Sequence, residues 1–358
     1  MEQQQYASPF PSSTLANVAR GLIFVFLPAL VSSSWPEYVK LESREFKTPL
    51  QPQLFRDTTP CAHSTKSAVS NDLTVELSAM AQSVGATPYG SFTLKSGMPR
   101  TIEFYDTPGD CRLKSNSWIL RMRQEQQQEA SSNQPWEGTF KSRNGDLYHS
   151  TYRRADMNEC CATCDDLGGK FEEDLNLQWH SQFSYSHKCT ILPNSTSTSH
   201  ISSPPIHNLR DISNHWIEME DVFADLQWTL DTSLEKVSNL TVTECVYNGF
   251  RIDFGRSDSS TEDHEKHQVG KFSVTLWYDS PSAMVPALAE LSFKMESPKQ
   301  DTRSKHRSLK QQKAWNKVTI MTAHAFWEKV NSLASLELRS LGKTEWVYQY
   351  HPDWCCDV

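Results

Sequence analysis

Arg121 and Arg123 stand two residues apart in Trp118-Ile-Leu-Arg-Met-Arg123. In an extended chain successive side chains alternate, so both guanidinium groups share one face while Trp118, Leu120 and Met122 take the other. The design recurs downstream. Glu137, Thr139 and Lys141 oppose Trp136 and Phe140; Tyr152, Arg154 and Asp156 share a face, as do Arg251 with Asp253, and Glu290 with Ser292 and Lys294. For any single strand a polar side turned to water is the plainer account. Together, these segments keep long cations beside carboxylates, where a solvent face would scatter Ser, Thr, Lys and Gln. Closing such strands on themselves gathers the charges inside. A charged interior is costly unless a polyanion and a metal ion neutralise it. Guanidinium and ammonium groups bind the oxygens of an anion, and carboxylates hold a hard divalent cation.

The elements that must position these groups follow from periodicity. After a Pro, Thr and Ser-rich loop over 48–70, Ser70 or Asn71 caps a helix that turns Leu73, Leu77, Met80, Ala81 and Val84 to one side and ends at Gly85. Alternation from Thr101 to Asp156, with turn signals at Pro108-Gly109 and Asn144-Gly145, reads as sheet. Residues 157–214 read as a low-complexity insertion with little chemistry. Helical spacing from Trp216 to Val237 follows a cap at Ser213 and reads as core packing. Strands return at Val246–Phe254, Phe272–Asp279 and Ala287–Met295, then an amphipathic helix at Val318–Leu336 and a last strand at Glu345–Tyr350.

The 358 residues, 37% hydrophobic and 22% charged, describe a folded chain, and a net charge of −8 argues against a general nucleic-acid binder. Residues 1–34 include the apolar run Gly21–Val31, which resembles the h-region of a signal peptide and is too short to span a bilayer. Sequons at Asn194 and Asn239 fit secretion, while the long n-region fits a cytoplasmic protein, so secreted and cytoplasmic readings both stay open. Nine cysteines leave at least one thiol outside any intramolecular disulfide scheme. Cys160-Cys161-Ala-Thr-Cys164 lacks a second ligand pair and reads as a loop. No nucleophile elbow, H-E-x-x-H or glycine-rich phosphate loop is present.

Ile102-Glu-Phe-Tyr-Asp-Thr-Pro108, then Trp118-Ile-Leu-Arg-Met-Arg123, then Trp136-Glu-Gly-Thr-Phe-Lys141 resemble successive strands of the CYTH, or triphosphate tunnel, family, particularly its thiamine-triphosphatase-like members. Phe272–Asp279 and Ala289–Lys294 are similar to the family's late strands. The resemblance covers about four fifths of the chain, defines a tunnel domain over 37–350, and leaves the insertion after Asp156 unmatched. It implies an α+β fold, an antiparallel eight-stranded β-barrel with flanking helices, whose tunnel binds a small anionic or triphosphate ligand with one or two divalent cations. By position it makes Arg121, Arg123, Lys141, Arg154, Lys294 and Arg251 phosphate ligands. Asp279 and Glu290 fall on the metal and catalytic side.

The family's opening Glu-x-Glu-x-Lys is broken here. In Lys40-Leu-Glu-Ser-Arg44, Glu42 stands for the second glutamate, Arg44 for the lysine, and Lys40 occupies the first glutamate's place. Ser292 likewise stands where a second late glutamate is usual. A site short of two carboxylates holds Mg²⁺ loosely. Three readings follow: a metal-dependent phosphohydrolase of triphosphates, a binder of an anionic ligand that no longer turns it over, or a tunnel reassigned to small-molecule chemistry. Glu45 and Glu137 are the candidates to replace the lost carboxylates.

Overall fold

Side chains that alternate between charged and apolar give each strand two unlike faces, and here the strands curl so that the charged faces meet. The computed structural model describes residues 41–62, 68–95, 98–126, 134–147, 150, 169–176, 179–192, 204, 206–216, 219–254, 269–296, 321–333 and 342–355. The chain divides into two units, Met1–Tyr38 and Val39–Val358, and every described residue belongs to the second. The apolar run at 21–31, Arg154 and its neighbours, the sequon at Asn194 and Cys160 to Cys164 lie outside the described residues.

Twelve strands are described: β1 (Ser43–Leu50), β2 (Thr87–Tyr89), β3 (Thr93–Leu94), β4 (Arg100–Asp106), β5 (Trp118–Glu125), β6 (Trp136–Asn144), β7 (Lys170–Leu175), β8 (Ser181–Ile191), β9 (Glu235–Lys236), β10 (Val242–Asp253), β11 (Val269–Tyr278) and β12 (Leu288–Glu296). Nine of them form a ring in the order β10-β11-β12-β1-β7-β8-β6-β5-β4, which closes where Val242 of β10 lies opposite Ile102 of β4. The short β2, β3 and β9 pair on its outside. Every ring pairing is antiparallel except β1 with β7, which run parallel. The expected eight-stranded antiparallel barrel is thus, among the described residues, a nine-stranded ring with one parallel seam.

That seam lies in the stretch read as an insertion. β7 and β8 come from residues 170–191 and complete the wall between β1 and β6. In Lys170-Phe-Glu-Glu-Asp-Leu175 an acid on each face obscures the alternation, although Phe171 and Leu175 are buried on one side.

The ring's outer face carries the apolar cores. Phe46, Phe272 and Phe293 pack with Phe326 and Trp327 of the helical residues 321–330, and the helix Thr74–Ser83 adds Leu77 and Ala81 to the same cluster. Phe46 and Phe293 stack with ring centroids 4.4 Å apart. Trp118, Phe140 and Cys189 meet Ile212, Trp216 and Phe223 from the helices Leu209–His215 and Met219–Asp225. The first of these helices starts at Asn208 in a capping box with Asp211, not at Ser213 as the spacing suggested. A third cluster joins Phe104 and Trp277 to Val347 and Tyr348.

Those last two residues belong to the helix Lys343–Gln349, where alternation had suggested a strand. Tertiary anchors decide its state. Tyr348 donates its hydroxyl hydrogen to Asp106 at 2.8 Å, Ser238 Oγ donates to the Val347 carbonyl at 3.0 Å, and a disulfide joins Cys111 to Cys355. Asp106, of the Tyr105-Asp106-Thr107-Pro108 motif, also accepts backbone hydrogens from Leu113 and Lys114. It ties a strand end to two helices. A second disulfide joins Cys61 to Cys245. Among the described residues no helix is long and apolar enough to cross a membrane.

Candidate functional site

The inward faces of the ring enclose a cavity of about 710 Å³ and beside it a smaller one of about 250 Å³. Glu45, Arg121, Thr139, Lys141 and Glu172 line both, so they form the wall the two spaces share. Arg121 and Thr139 are direct cross-strand partners on β5 and β6. Lys141 follows Thr139 on the same face.

Carboxylates and cations are interleaved around this wall. Asp174 of β7 is approached by Lys47 Nζ at 3.0 Å, Arg143 at 3.4 Å and Lys141 Nζ at 3.9 Å. Glu172 takes Lys170 at 2.9 Å and Lys294 at 2.5 Å. Toward β4, Glu244 of β10 receives Arg100 at 2.5 Å, Arg123 at 3.5 Å and the Trp277 indole N–H at 3.0 Å. Glu137 is held by Lys188 at 3.0 Å and Arg123 at 3.2 Å, and Glu45 by Lys47 at 3.2 Å. Glu290 pairs with Lys343 Nζ at 2.7 Å, and Gly342, Lys343 and Thr344 at the start of the C-terminal helix line the larger cavity.

Burial works against ionising Asp174, Glu172 and Glu244, but the cations around each hold all three carboxyls well below the usual carboxylate range: Lys47, Lys141 and Arg143 for the first, Lys141, Lys294 and Lys170 for the second, Arg123 and Arg100 for the third. Burial likewise opposes charge on Lys47, yet Asp174 and Glu45 hold its ammonium above its ordinary value. Lys141 fares differently. Burial pushes it down to about 7; Asp174 opposes that shift, and Arg143 and Lys47 add to it. Arg121 is lowered by burial and then by Arg123. Arg121 Nε and Thr139 Oγ1 are buried without a hydrogen-bond partner among the described residues. Buried polar groups are rarely left so, and these two side chains stand side by side in the wall that both cavities share.

The structure brings Arg121, Arg123, Lys141, Glu290 and Lys294 to the cavity walls. It does not bring Glu42 or Arg44 there. Glu42 is exposed ahead of β1, and Arg44 lies on the outer side of that strand, bonded to Glu173 at 2.6 Å. The register read from the sequence was three residues off, and in a strand an odd slip exchanges the faces. Ser43, Glu45 and Lys47 take the inward line, so the glutamate and lysine of the broken signature stand at Glu45 and Lys47, and Ser43 replaces its first acid. Ser43 Oγ donates to Glu172 at 2.8 Å.

Arg251 is corrected too. It follows an irregularity in β10 after Asn248, lies exposed opposite Lys271, and is not among the cavity residues. Asp279 stands past the end of β11, where the Tyr350 hydroxyl donates to it at 3.2 Å, and it too lies off the lining. Arg154 falls outside the described residues. Arg100, Arg143, Glu172, Asp174, Glu244 and Lys343 were not singled out beforehand. Arg143 was visible as the next inward position after Lys141; Glu172 and Asp174 were hidden by the poor alternation of β7, and Lys343 by its helix.

A divalent cation does not fit this set. No group of three or more His, Cys, Asp or Glu side chains converges as a metal cage among the described residues. The inward carboxylates have ammonium or guanidinium groups where a metal's charge would sit, and the expected ligands Glu42 and Asp279 point elsewhere.

No protein-family model matches the chain, and no curated protein matches it significantly. Solved structures do. A Hippeastrum protein described as an adenylyl cyclase with a dominant triphosphatase activity is 9% identical over 87% of this chain and 96% of that one, with a TM-score of 0.35. A Bacillus halodurans protein described as an adenylate cyclase is 11% identical over 86% and 96%, with a TM-score of 0.32. The PH1819 protein of Pyrococcus horikoshii OT3 is 8% identical over 83% and 94%, with a TM-score of 0.28. At such values the likenesses carry no argument about activity. The tunnel rests on this chain's own strand order and inward side chains, and a charged tunnel in a β-ring flanked by helices is the architecture that the CYTH resemblance implied.

Proposed function

We propose that this chain is a tunnel protein that binds a small polyanion, phosphorylated or carboxylated, and does so without a divalent cation. The observation that carries the reading is the pair of unpartnered buried donors, Arg121 Nε and Thr139 Oγ1, in the wall common to both cavities. An anion there has Arg121, Thr139 and Lys141 in the shared wall, with Arg123 on the larger cavity and Lys294 on the smaller. Guanidinium suits such a seat because its fixed fork matches phosphate and carboxylate oxygens. The ligand's negative charge offsets the burial of cations that now share too few carboxylates. Arg154 belongs to the same proposed set on sequence grounds.

The competing reading is a Mg²⁺- or Mn²⁺-dependent triphosphatase, favoured by Glu45 and Lys47 lying on the inward side of β1. It requires Glu290 to leave Lys343 and more than one acid to shed its cations. Thermal melting with tripolyphosphate decides between the two. Stabilisation of equal size in EDTA and in Mg²⁺, lost in Arg121→Ala, with no phosphate released, is the outcome expected of a binder. Metal-dependent phosphate release abolished by Glu290→Gln establishes the hydrolase instead.

A further inference from the structure

Lys141 differs from the other cations of the wall in how it is held. Of the three cations around Asp174, Lys47 stands at 3.0 Å, Arg143 at 3.4 Å and Lys141 at 3.9 Å, so the carboxylate belongs chiefly to the other two. Other cations line the smaller cavity together with Lys141: Arg121 from β5, Lys170 from β7, Lys188 from β8 and Lys294 from β12. Against them stand Glu45, Glu172 and Asp174, and Glu172 is already bonded to Lys170 and Lys294. With cations in excess over carboxylates in a buried wall, the amine with the longest ion pair is the one that loses its proton at least cost. The same amine opens onto both cavities, one of them about 710 Å³ in volume, so a small organic molecule can reach it.

We propose that Lys141 is a nucleophilic amine that forms an imine with a small carbonyl compound whose anionic group rests on Arg121 and Thr139. This rests on the polyanion reading above. The nitrogen lone pair adds to the carbonyl carbon, and the carbonyl π pair takes a proton from that nitrogen, giving a carbinolamine. The C–O bond then breaks, and the oxygen leaves as water with both former amine protons while the C=N bond forms. No oxidant, reductant or metal enters. Arg143 and Lys47 act as positioning residues, since they occupy Asp174 and leave the Lys141 lone pair free.

The test uses the full chain with pyridoxal 5′-phosphate, an aldehyde that carries its own phosphate, followed by borohydride reduction and peptide mapping. At neutral pH the fraction of neutral amine in an ordinary lysine is on the order of 0.1%. Lys141 is therefore expected to be labelled at least about tenfold faster than the exposed Lys329, with tripolyphosphate protecting it and a labelling midpoint near neutral pH. Labelling of Lys141 at the rate of Lys329, or with a midpoint in the ordinary lysine range, overturns the inference. If Lys141 stays unlabelled while tripolyphosphate still stabilises the protein through Arg121, the imine fails and the polyanion reading stands. If both effects are absent, both fail.

Discussion

Asp174 shows how the site is balanced at the level of single residues. Three cations depend on one carboxylate that is about nine-tenths buried, so removing its charge leaves two ammonium groups and a guanidinium facing each other. Asp174→Asn is predicted to cost about 3–5 kcal/mol in urea unfolding, because breaking a buried pair strands its partners. Asp174, Glu172 and Glu244 have depressed folded-state pKa values. Their contribution is fully present above the unfolded carboxylate range, about pH 4, and is lost as pH falls below it. Stability measured from pH 7 to pH 3 should fall steeply at the acid end, and less steeply in Asp174→Asn. Lys141 has the opposite sense: its folded pKa of about 7 lies below the ordinary 10.5, so an anion that restores its charge must take up a proton. Calorimetry of tripolyphosphate binding near pH 8, in buffers of different ionisation heats, should show net proton uptake that disappears in Lys141→Arg.

At the scale of elements, the β12 strand and the C-terminal helix meet through Glu290 and Lys343, both largely buried. A double-mutant cycle with Glu290→Gln and Lys343→Ala is predicted to give a coupling of about 0.5–3 kcal/mol; a coupling near zero removes that helix from the account of the cavity. This pairing also marks where sequence reading stopped. β5, β6 and β12 alternate cleanly, so Arg121, Arg123, Lys141 and Lys294 were legible from spacing alone. In β1 both faces carry charge, with Arg44 on one and Glu45 and Lys47 on the other, and no local rule chose the register. The outer pairing of Arg44 with Glu173 on β7 sets it, and that contact spans 129 residues. β7 itself was lost because Glu173 breaks its apolar face. The segment Lys343–Gln349 alternates like a strand but is helical because Asp106, Ser238 and the Cys111–Cys355 bond anchor its far end.

At the largest scale, the described part of the second unit is a sheet turned inside out, with apolar clusters outside the ring and charge within it. The closed ring leaves none of its nine strands as an edge, which suits an interior that contributes little hydrophobic burial. Among the described residues, the Cys61–Cys245 and Cys111–Cys355 disulfides close loops of 184 and 244 residues across this architecture. Each is expected to stabilise by about 2–4 kcal/mol, so reduction should lower the Tm by about 4–8 °C per bond. What the ring encloses is settled most directly by titrating metal-free protein with tripolyphosphate in EDTA and repeating the titration with Mg²⁺ and with Arg121→Ala. The account predicts saturable one-site binding that EDTA leaves unchanged and that Arg121→Ala weakens at least about tenfold, the worth of one charge-assisted contact. Binding that appears only with Mg²⁺, or that survives the loss of Arg121 undiminished, would contradict it.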